Sequence, residues 1–251
     1  MSEISLAISS SEAPQLSWVL PMFRTADQLR ELLARIHAVS AELVEAHEII
    51  LVDDACPEGT GALAATIAAT DVRVRLLRLA SNRGQDAALR EGLRLSRGEW
   101  TMILDADLQD PPEAVRQLWP LRQCGDAVFV ERTGTYTSAG RQITSRLYRA
   151  AIARVGRLPR GACLFALLGR PLVDRINVTI TGRQVSLLAL ISAAGFGFSS
   201  IPIVRSPRAS GVSSYSSFAR CAKAMNSLWQ MFVVRRLNGS VHTPSRPSSA
   251  P

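Results

Sequence analysis

The sequence predicts an α/β fold in which a doubly wound, mainly parallel sheet carries helices on both faces. Three observations lead to this prediction. Apolar runs of strand length alternate with segments of helical periodicity at the spacing of βαβ units. The strand-like runs are apolar at nearly every position, as expected of strands that are buried on both faces. The chain has 251 residues, 47% of them hydrophobic, which is enough to bury one large core.

The elements of the first half follow from local patterns. The first predicted strand is Leu16–Leu20, because Pro21 stops the apolar run. Leu29, Leu32, Leu33, Ile36 and Val39 recur at helical spacing and predict a helix over Ala26–Ser40. The further predicted elements are a strand Glu48–Val52, a helix Gly59–Ala69, a strand Val72–Leu79, a helix Gln85–Ser96, and strands Trp100–Leu104 and Asp126–Val130.

The second half has a weaker and more basic pattern. Ser-rich and Pro-rich composition predicts a disordered leader over residues 1–14 and a disordered tail over 237–251. Between them the predicted elements are a basic helix Arg141–Val155, a short apolar stretch Ala162–Leu168, a helix Gln184–Ala194, a strand Phe196–Val204 and an amphipathic helix Tyr215–Arg236. No apolar run approaches the ~20 residues of a membrane span, so we expect a soluble or peripheral protein.

Charge is distributed unevenly along the chain. Residues 1–130 contain 12 Lys and Arg against 19 Asp and Glu, whereas residues 131–251 contain 17 against 2. The basic half is expected to meet an anionic partner, and nucleic acid, anionic lipid headgroups and a phosphorylated acceptor all qualify. Nucleic acid is the least favoured of these, because no stacking aromatic residues are interleaved with the arginines. Four cysteines without C-x-x-C spacing are expected to be reduced thiols.

Acidic residues follow two of the predicted strands directly. Asp53 comes after the second strand, and Asp105 and Asp107 flank Ala106 after Trp100–Leu104. Ligands of such sheets bind at the carboxyl ends of the strands, so these carboxylates are expected to line one crevice. With the two-residue period of a strand, both carboxylates of the D-x-D segment would lean to the same side.

The segment after Asp105 has the chemistry of a divalent cation site. The carboxylates of Asp105 and Asp107 and the amide oxygen of Gln109 are hard oxygen ligands that suit Mg²⁺ or Mn²⁺, with diphosphate oxygens completing the shell. The cation would neutralise the charge that develops on a departing nucleotide diphosphate. Asp110 as N-cap, Pro111 in the first turn and Glu113 as capping-box partner predict that a helix begins here.

These motifs resemble family 2 inverting glycosyltransferases of the GT-A fold, and most closely the dolichol- or polyprenyl-phosphate mannosyltransferase-like branch. The resemblance extends from about Ser17 to Leu228. It rests on ordered matches, of which the Asp105–Glu113 run is the most specific: Val19–Pro21, Glu48–Asp54, Asn82–Leu89, Gly92, Arg97–Gly98 and Asp105–Glu113. It implies a single catalytic domain over residues 15–236, divided into a nucleotide-sugar-binding part (15–130) and a basic acceptor-side part (131–236).

The resemblance also implies roles for individual residues. Pro21, Phe23 and Asp53 would line the nucleoside pocket. Asp105 and Ala106 would contact the sugar diphosphate, and Asp107 with Gln109 would bind the metal. Three arginines would hold phosphates: Arg132 and Arg208 those of the donor, and Arg146 that of the acceptor. Asp105, Asp107 and Arg132 are the implied catalytic residues. The implied partners are a nucleotide-sugar and, at a membrane surface on the cytoplasmic side, a polyprenyl phosphate.

The chain departs from the family pattern at three places. The first loop reads Phe23-Arg24-Thr25 and lacks the usual acidic residue, so the preferred base stays open. Ser214 stands where a phosphate-binding Lys is expected. The segment 160–167 lacks the usual carboxylate; an ionised phosphate acceptor needs no base, whereas a hydroxyl acceptor would need one.

Two alternatives to a polyprenyl-phosphate glycosyltransferase therefore remain open. One is a soluble relative that glycosylates a non-lipid acceptor, such as a glycan precursor or a secondary metabolite. The other is a donor-binding protein without turnover. A nucleotidyltransferase is disfavoured because no Gly-rich loop follows the first strand.

Overall fold

The computed structural model describes residues 4–5, 13–133, 150, 153–159, 161–179, 185–204, 225–226, 228–234 and 236, with the backbone alone at 4–5, 132–133 and 204. Its centre is a mixed sheet. The strands are β1 (Ile4–Ser5), β2 (Leu16–Met22), β3 (His47–Asp53), β4 (Val74–Arg78), β5 (Trp100–Ile103), β6 (Ala127–Thr133), β7 (Ala166–Gly169) and β8 (Phe198–Val204). Their spatial order is β1-β4-β3-β2-β5-β7-β6-β8.

Parallel pairing dominates the first half of the sheet. β3 pairs in parallel with both β2 and β4, and β2 also pairs in parallel with β5. β7 then lies antiparallel between β5 and β6, and β6 pairs in parallel with β8. The predicted doubly wound α/β fold is confirmed, with an antiparallel strand inserted into its second half.

The described helices cover both faces of the sheet. They include α1 (Ala26–Leu43), α2 (Thr60–Thr70), α3 (Gln85–Leu95), α4 (Val115–Leu118), α5 (Arg170–Val178) and α6 (Leu187–Ala194). Buried side chains of α1, α2 and α4 join one hydrophobic cluster with the sheet, and those of α3, α5 and α6 join the other. α3 lies especially close to the strands, because a Cβ at Gly92 would stand 2.3 Å from Cγ1 of Val19.

The strand order reverses between β2 and β5. From β2 the chain runs outward to β3 and then β4, and the connecting helices α1 and α2 lie on one face of the sheet. It then crosses back through α3, on the other face, to β5 on the opposite side of β2. Such a reversal opens a crevice at the carboxyl ends of the two central strands, which is where ligands bind in open α/β sheets. The crevice here lies beyond Met22 of β2 and Ile103 of β5.

Several local predictions need correction. The capping box at Glu113 is wrong: a short 3₁₀ turn begins at Pro112 with Pro111 as its cap residue, and Glu113 instead forms a two-pronged ion pair with Arg35 of α1, at 2.7 and 2.8 Å. Ile4–Ser5, inside the predicted leader, pairs with β4. α5 was not predicted, although Leu172, Val173 and Ile176 have helical spacing and are buried.

The other predicted elements match closely within the described residues. The predicted helices at Ala26–Ser40, Gly59–Ala69 and Gln85–Ser96 correspond to α1, α2 and α3 within a few residues. The basic helix Arg141–Val155 and the helix Tyr215–Arg236 lie mostly outside the described residues, although positions 153–156 and 228–234 are helical. Among the described helices, none combines the length and the apolar character that crossing a membrane requires.

Candidate functional site

Asp105 and Asp107 lie in a turn that follows β5. The strand ends at Ile103, so the two-residue period of a strand does not extend to these carboxylates, and that argument from the sequence is wrong. Both aspartates are half-exposed, whereas Ala106 between them is buried. The backbone N–H of Gln109 donates to Oδ1 of Asp107 at 3.2 Å, and this bond closes the turn. The turn therefore presents two carboxylates at the carboxyl edge of the sheet.

Gln109 occupies the inner side of this turn. Its side chain is 7% exposed, and its Nε2 has no hydrogen-bond partner. Leaving a buried amide unpartnered costs about 1–3 kcal/mol, so a bound group that supplies a partner would be stabilised here. As placed, the amide offers a donor suited to a phosphate oxygen; turned over, it offers an oxygen suited to a cation.

The end of β2 supplies the second wall of the crevice. Pro21 is half-buried in the strand, and Phe23, just beyond it, is 42% exposed. The guanidinium of Arg24 lies 5.4 Å from the centre of the Phe23 ring and forms an ion pair of 2.9 Å with Glu58. An exposed aromatic ring beside the strand reversal is a surface on which a planar base can stack.

Asp53 is engaged inside the protein. It is 1% exposed; its Oδ1 accepts from the N–H of Cys56 at 2.9 Å, and its Oδ2 lies 3.4 Å from Nε of Arg78. A Cβ at Gly61 would stand 2.0 Å from Oδ2, so the first turn of α2 covers the carboxylate closely. In this structure Asp53 shapes the loop between β3 and α2 from within.

Cys56 connects that loop to the loop after β2. Its Sγ accepts a hydrogen bond from the backbone N–H of Arg24 at 3.2 Å and lies 3.4 Å from Oγ1 of Thr60. Burial raises the pKa of the Cys56 thiol, but the hydrogen bonds with Thr60 and the backbone lower it by more, so the pKa lies below its ordinary value. Cys124 is exposed, and the Sγ of Cys163 donates to the backbone carbonyl of Val130 at 3.1 Å.

The loop before α3 joins the two walls, and its residues received no individual roles from the sequence. Asp54, which is buried, accepts the backbone N–H groups of Arg83 and Gly84 at 2.7 and 2.8 Å. Gln85, the first residue of α3, donates from Nε2 to Oδ1 of Asp105. A string of small and polar residues after a strand was the available signal, but only the fold shows which carboxylate each residue meets.

The predicted arginine clamps are described only in part. Arg132 lies in β6, where its backbone is paired opposite Ile203 of β8. Arg146 and Arg208 lie outside the described residues, as does Ser214. The three arginines therefore stay predictions.

A carboxylate missed by the sequence analysis stands beside segment 161–167. Glu131 of β6 is half-buried, and Oγ of Ser200 donates to its Oε1 at 2.8 Å. The backbone of Gly161 packs on it so closely that a Cβ there would be 2.7 Å from Cβ of Glu131. Ile103 of β5 and Phe129 of β6 both pair with Ala166 of β7, so β5 and β6 run in the same direction and are in register at this point. Asp105 and Glu131 each follow two residues later and therefore lie at the same, carboxyl edge of the sheet.

A family model described as Glycosyl transferase family 2 matches residues 17–164, more than half of the chain. The chain belongs to glycosyl transferase family 2. The match runs from β2 to the segment before β7 and so includes both walls of the crevice.

Curated relatives are similar to the chain over most of its length. It is 34% identical over 209 residues to an undecaprenyl-phosphate 4-deoxy-4-formamido-L-arabinose transferase from Pseudomonas fluorescens, covering 80% of this chain and 60% of that protein. A protein of the same name from Erwinia tasmaniensis is 31% identical, with 80% and 63% covered. The chain thus spans about 60% of the length of these relatives.

Solved structures show the same fold at low sequence identity. A mannosyltransferase from Pyrobaculum calidifontis in complex with GDP-Man and Mn²⁺ has a TM-score of 0.55 and 17% identity, covering 96% of this chain and 80% of that one. Glucosyl-3-phosphoglycerate synthase from Mycobacterium tuberculosis with Mn²⁺ and UDP-glucose has a TM-score of 0.62 and 14% identity, covering 89% and 79%. This family 2 chain therefore has the GT-A fold, as predicted.

Proposed function

We propose that this chain is an inverting glycosyltransferase that transfers a hexose from a nucleotide-sugar to polyprenyl phosphate, such as undecaprenyl phosphate. One observation supports the binding of a nucleotide-sugar donor. The reversal of strand order between β2 and β5 brings an exposed aromatic ring, Phe23, and two half-exposed carboxylates, Asp105 and Asp107, to one crevice. A nucleotide-sugar has the matching parts, because its base is planar and its diphosphate binds cations.

The nucleoside would lie against the end of β2. Phe23 offers the stacking surface, and Pro21 and the loop held by Asp53 form its border. Because the carboxylate of Asp53 already accepts the N–H of Cys56 and faces Arg78, Asp53 acts here mainly by fixing the shape of that loop.

A divalent cation, Mg²⁺ or Mn²⁺, fits the turn after β5. Asp107 and Asp105 supply hard oxygen atoms, and Gln109 supplies one when its amide is turned over so that Oε1 takes the place of the unpartnered Nε2. Within the described residues, no three His, Cys, Asp or Glu side chains are grouped to hold a metal by themselves. We infer that diphosphate oxygens complete the shell, and the cation then neutralises charge on the leaving diphosphate.

The acceptor half rests on charge and on the relatives. The name of these relatives specifies undecaprenyl phosphate, and residues 131–251 of this chain carry 17 Lys and Arg against 2 Asp and Glu. Arg146 is proposed to bind the acceptor phosphate, and Arg132 and Arg208 the donor diphosphate, because guanidinium groups bind phosphate in a bidentate manner. A phosphate oxygen of the acceptor attacks the anomeric carbon, the bond to the diphosphate breaks, and the diphosphate leaves with the electron pair.

This reaction defines the proposed organisation of the chain. Residues 15–130 bind the nucleotide-sugar, and residues 131–236 serve the acceptor within the same catalytic domain. The protein would work on the cytoplasmic face of the membrane as a peripheral enzyme, since nucleotide-sugars are cytoplasmic and the acceptor lipid is embedded in the bilayer.

The test is a transfer assay on the full chain with a panel of nucleotide-sugars, Mn²⁺ and detergent-dispersed undecaprenyl phosphate. Sugar that enters the organic phase supports the proposal. Asp107→Ala should abolish metal-dependent donor binding and transfer, whereas Asp174→Ala, at an exposed carboxylate of α5, should leave both unchanged. Donor hydrolysis without a lipid product, or donor binding without turnover, would contradict the proposed acceptor.

A further inference from the structure

The last helical positions that the structure describes, 225–226, 228–234 and 236, expose a stripe of large apolar side chains. Met225, Trp229 and Phe232 are 71%, 63% and 49% exposed. Their spacings of four and three residues place them on one face of the helix. The rings of Trp229 and Phe232 lie 6.4 Å apart, and the guanidinium of Arg236 lies 5.6 Å from the Phe232 ring. We call these four side chains the exposed stripe.

The other face of the same segment is firmly attached to the domain. Met231 is fully buried and Val234 is 6% exposed, both in the hydrophobic cluster that contains α3, α5 and α6. Oε1 of Gln230 accepts the backbone N–H of Ser186 at 2.7 Å. The exposed stripe is therefore the outward face of a helix that is packed on the domain. Single exposed apolar residues are common on protein surfaces, but the stripe is a patch of adjacent ones.

Charge favours one kind of partner for this stripe. A cation stacked beside exposed aromatic rings is the composition of helices that lie in the headgroup region of a bilayer. The half of the chain that contains the stripe has 17 Lys and Arg against 2 Asp and Glu. Anionic lipid attracts such a surface with about 1 kcal/mol per basic residue near the membrane.

We propose that the exposed stripe of Met225, Trp229, Phe232 and Arg236 docks this protein on an anionic lipid bilayer. The inference deepens the proposed function, because an acceptor phosphate at a bilayer surface is reached only by an enzyme held there. The helix is also linked to the donor site. Gln230 accepts the backbone N–H of Ser186, and the N–H of the following residue, Leu187, donates to Oδ1 of Asp86 at 2.8 Å. Asp86 is next in the chain to Gln85, which donates to Asp105.

Vesicle binding tests the proposal without any acceptor lipid. The full chain is sedimented with vesicles of phosphatidylcholine alone and of phosphatidylcholine mixed with phosphatidylglycerol. We expect binding to the anionic vesicles that weakens as salt is raised. Trp229→Ala combined with Phe232→Ala should weaken it roughly tenfold or more, because both rings lose their burial in the interface. Val72→Ala, at a 68% exposed apolar site between α2 and β4, is the matched control and should bind normally.

Tryptophan fluorescence locates the contact. Trp18 and Trp100 are buried and Trp119 is half-buried, so Trp229 is the described indole that is most open to solvent. Anionic vesicles should shift its emission to shorter wavelength and protect it from iodide, and Trp229→Phe should remove that response. An emission spectrum that vesicles leave unchanged would overturn the proposal.

Two further outcomes separate this inference from the proposed reaction. If the stripe instead joins two copies of the chain, sedimentation will show a concentration-dependent dimer that Trp229→Ala with Phe232→Ala dissociates, and no vesicle binding; that result overturns the docking proposal. If the wild-type chain binds anionic vesicles but transfers no sugar to detergent-dispersed undecaprenyl phosphate, the docking surface stands and the proposed reaction fails.

Discussion

Nε2 of Gln85 donates a hydrogen bond to Oδ1 of Asp105, and this bond joins the start of α3 to the turn after β5. The bond therefore ties the orientation of the Asp105 carboxylate to the position of α3. Gln85 is therefore a positioning residue for the donor site, since its amide acts through a carboxylate.

Replacing Gln85 with Ala should weaken metal-dependent donor binding by roughly tenfold, because a hydrogen bond to a charged group contributes about 1.5–3 kcal/mol. Titration calorimetry with a nucleotide-sugar and Mn²⁺ measures this. Gln85→Glu should weaken binding further, since two carboxylates would then face each other. Gln117→Ala, at an exposed glutamine of α4, is the control. Unchanged donor affinity in Gln85→Ala would show that Asp105 does not need this bond.

Glu131 distinguishes the two possible classes of acceptor. It lies at the same edge as Asp105 and beside a segment, 161–167, that has no carboxylate of its own. An ionised phosphate acceptor needs no base, so Glu131→Gln should change the rate of transfer to undecaprenyl phosphate by less than about threefold. With a hydroxyl acceptor, the same variant should transfer sugar about a hundredfold more slowly or worse, because the base would be missing. Single-turnover assays of both acceptor classes decide between these outcomes, and rescue by Glu131→Asp would identify a carboxylate base.

Glu48 is the centre of a buried ionic network at the amino end of β3. It is 2% exposed, accepts from Oγ of Ser17 and from the backbone of Arg97, and lies 3.1 Å from the guanidinium of Arg75, whose side chain is 12% exposed. Glu48→Gln keeps the size but leaves Arg75 without its countercharge. We expect the free energy of unfolding in urea to fall by about 3–5 kcal/mol.

The matched control for Glu48 is the surface pair of Glu42 and Arg116, which is about half exposed on both sides. Glu42→Gln should leave the urea midpoint nearly unchanged, because solvent screens an exposed pair. Equal losses in the two variants would contradict the structural role assigned to Glu48.

Two histidines give the protein a pH-dependent stability. His37 Nδ1 and His47 Nε2 are 2.8 Å apart, and His37 Nε2 lies 3.2 Å from Asp71. Burial, together with the nearby positive charge of His37 and Arg73, lowers the pKa of His47 to about 4, and burial likewise lowers that of His37. Between about pH 6.5 and pH 4 the unfolded chain thus binds more protons than the folded one.

The free energy of unfolding should therefore be constant above about pH 7 and fall as the pH drops from 6.5 towards 4. His47→Gln, which keeps a donor near His37, should flatten this part of the profile. The Asp71 carboxylate titrates over a separate, lower pH range, because its hydrogen bond with Arg73 lowers its pKa to about 2. Thermal melts across the pH range, with His47→Gln beside the wild type, provide the measurement; an identical slope in both would rule out the histidine pair.

The sequence by itself predicted most of the strands, most of the helices and the edge of the sheet at which the acidic residues lie. Buried parallel strands need apolar residues throughout, so β2, β3 and β5 were visible as apolar runs. The acidic residues that follow β3 and β5, which are Asp53, Asp105 and Asp107, were predicted at the carboxyl edge of the sheet because parallel strands end there together. These inferences succeeded because they depend on neighbours in the chain.

Only the tertiary structure decided which of these groups meet. Glu113 forms an ion pair with Arg35 instead of capping a helix, because α1 passes beside it. Asp53 is closed in by Gly61 of α2, Gln85 reaches Asp105, and Glu131 stands beside Gly161, each across many residues of chain. Contacts of this kind depend on the order of strands and the packing of helices, and no local pattern in a single sequence encodes them.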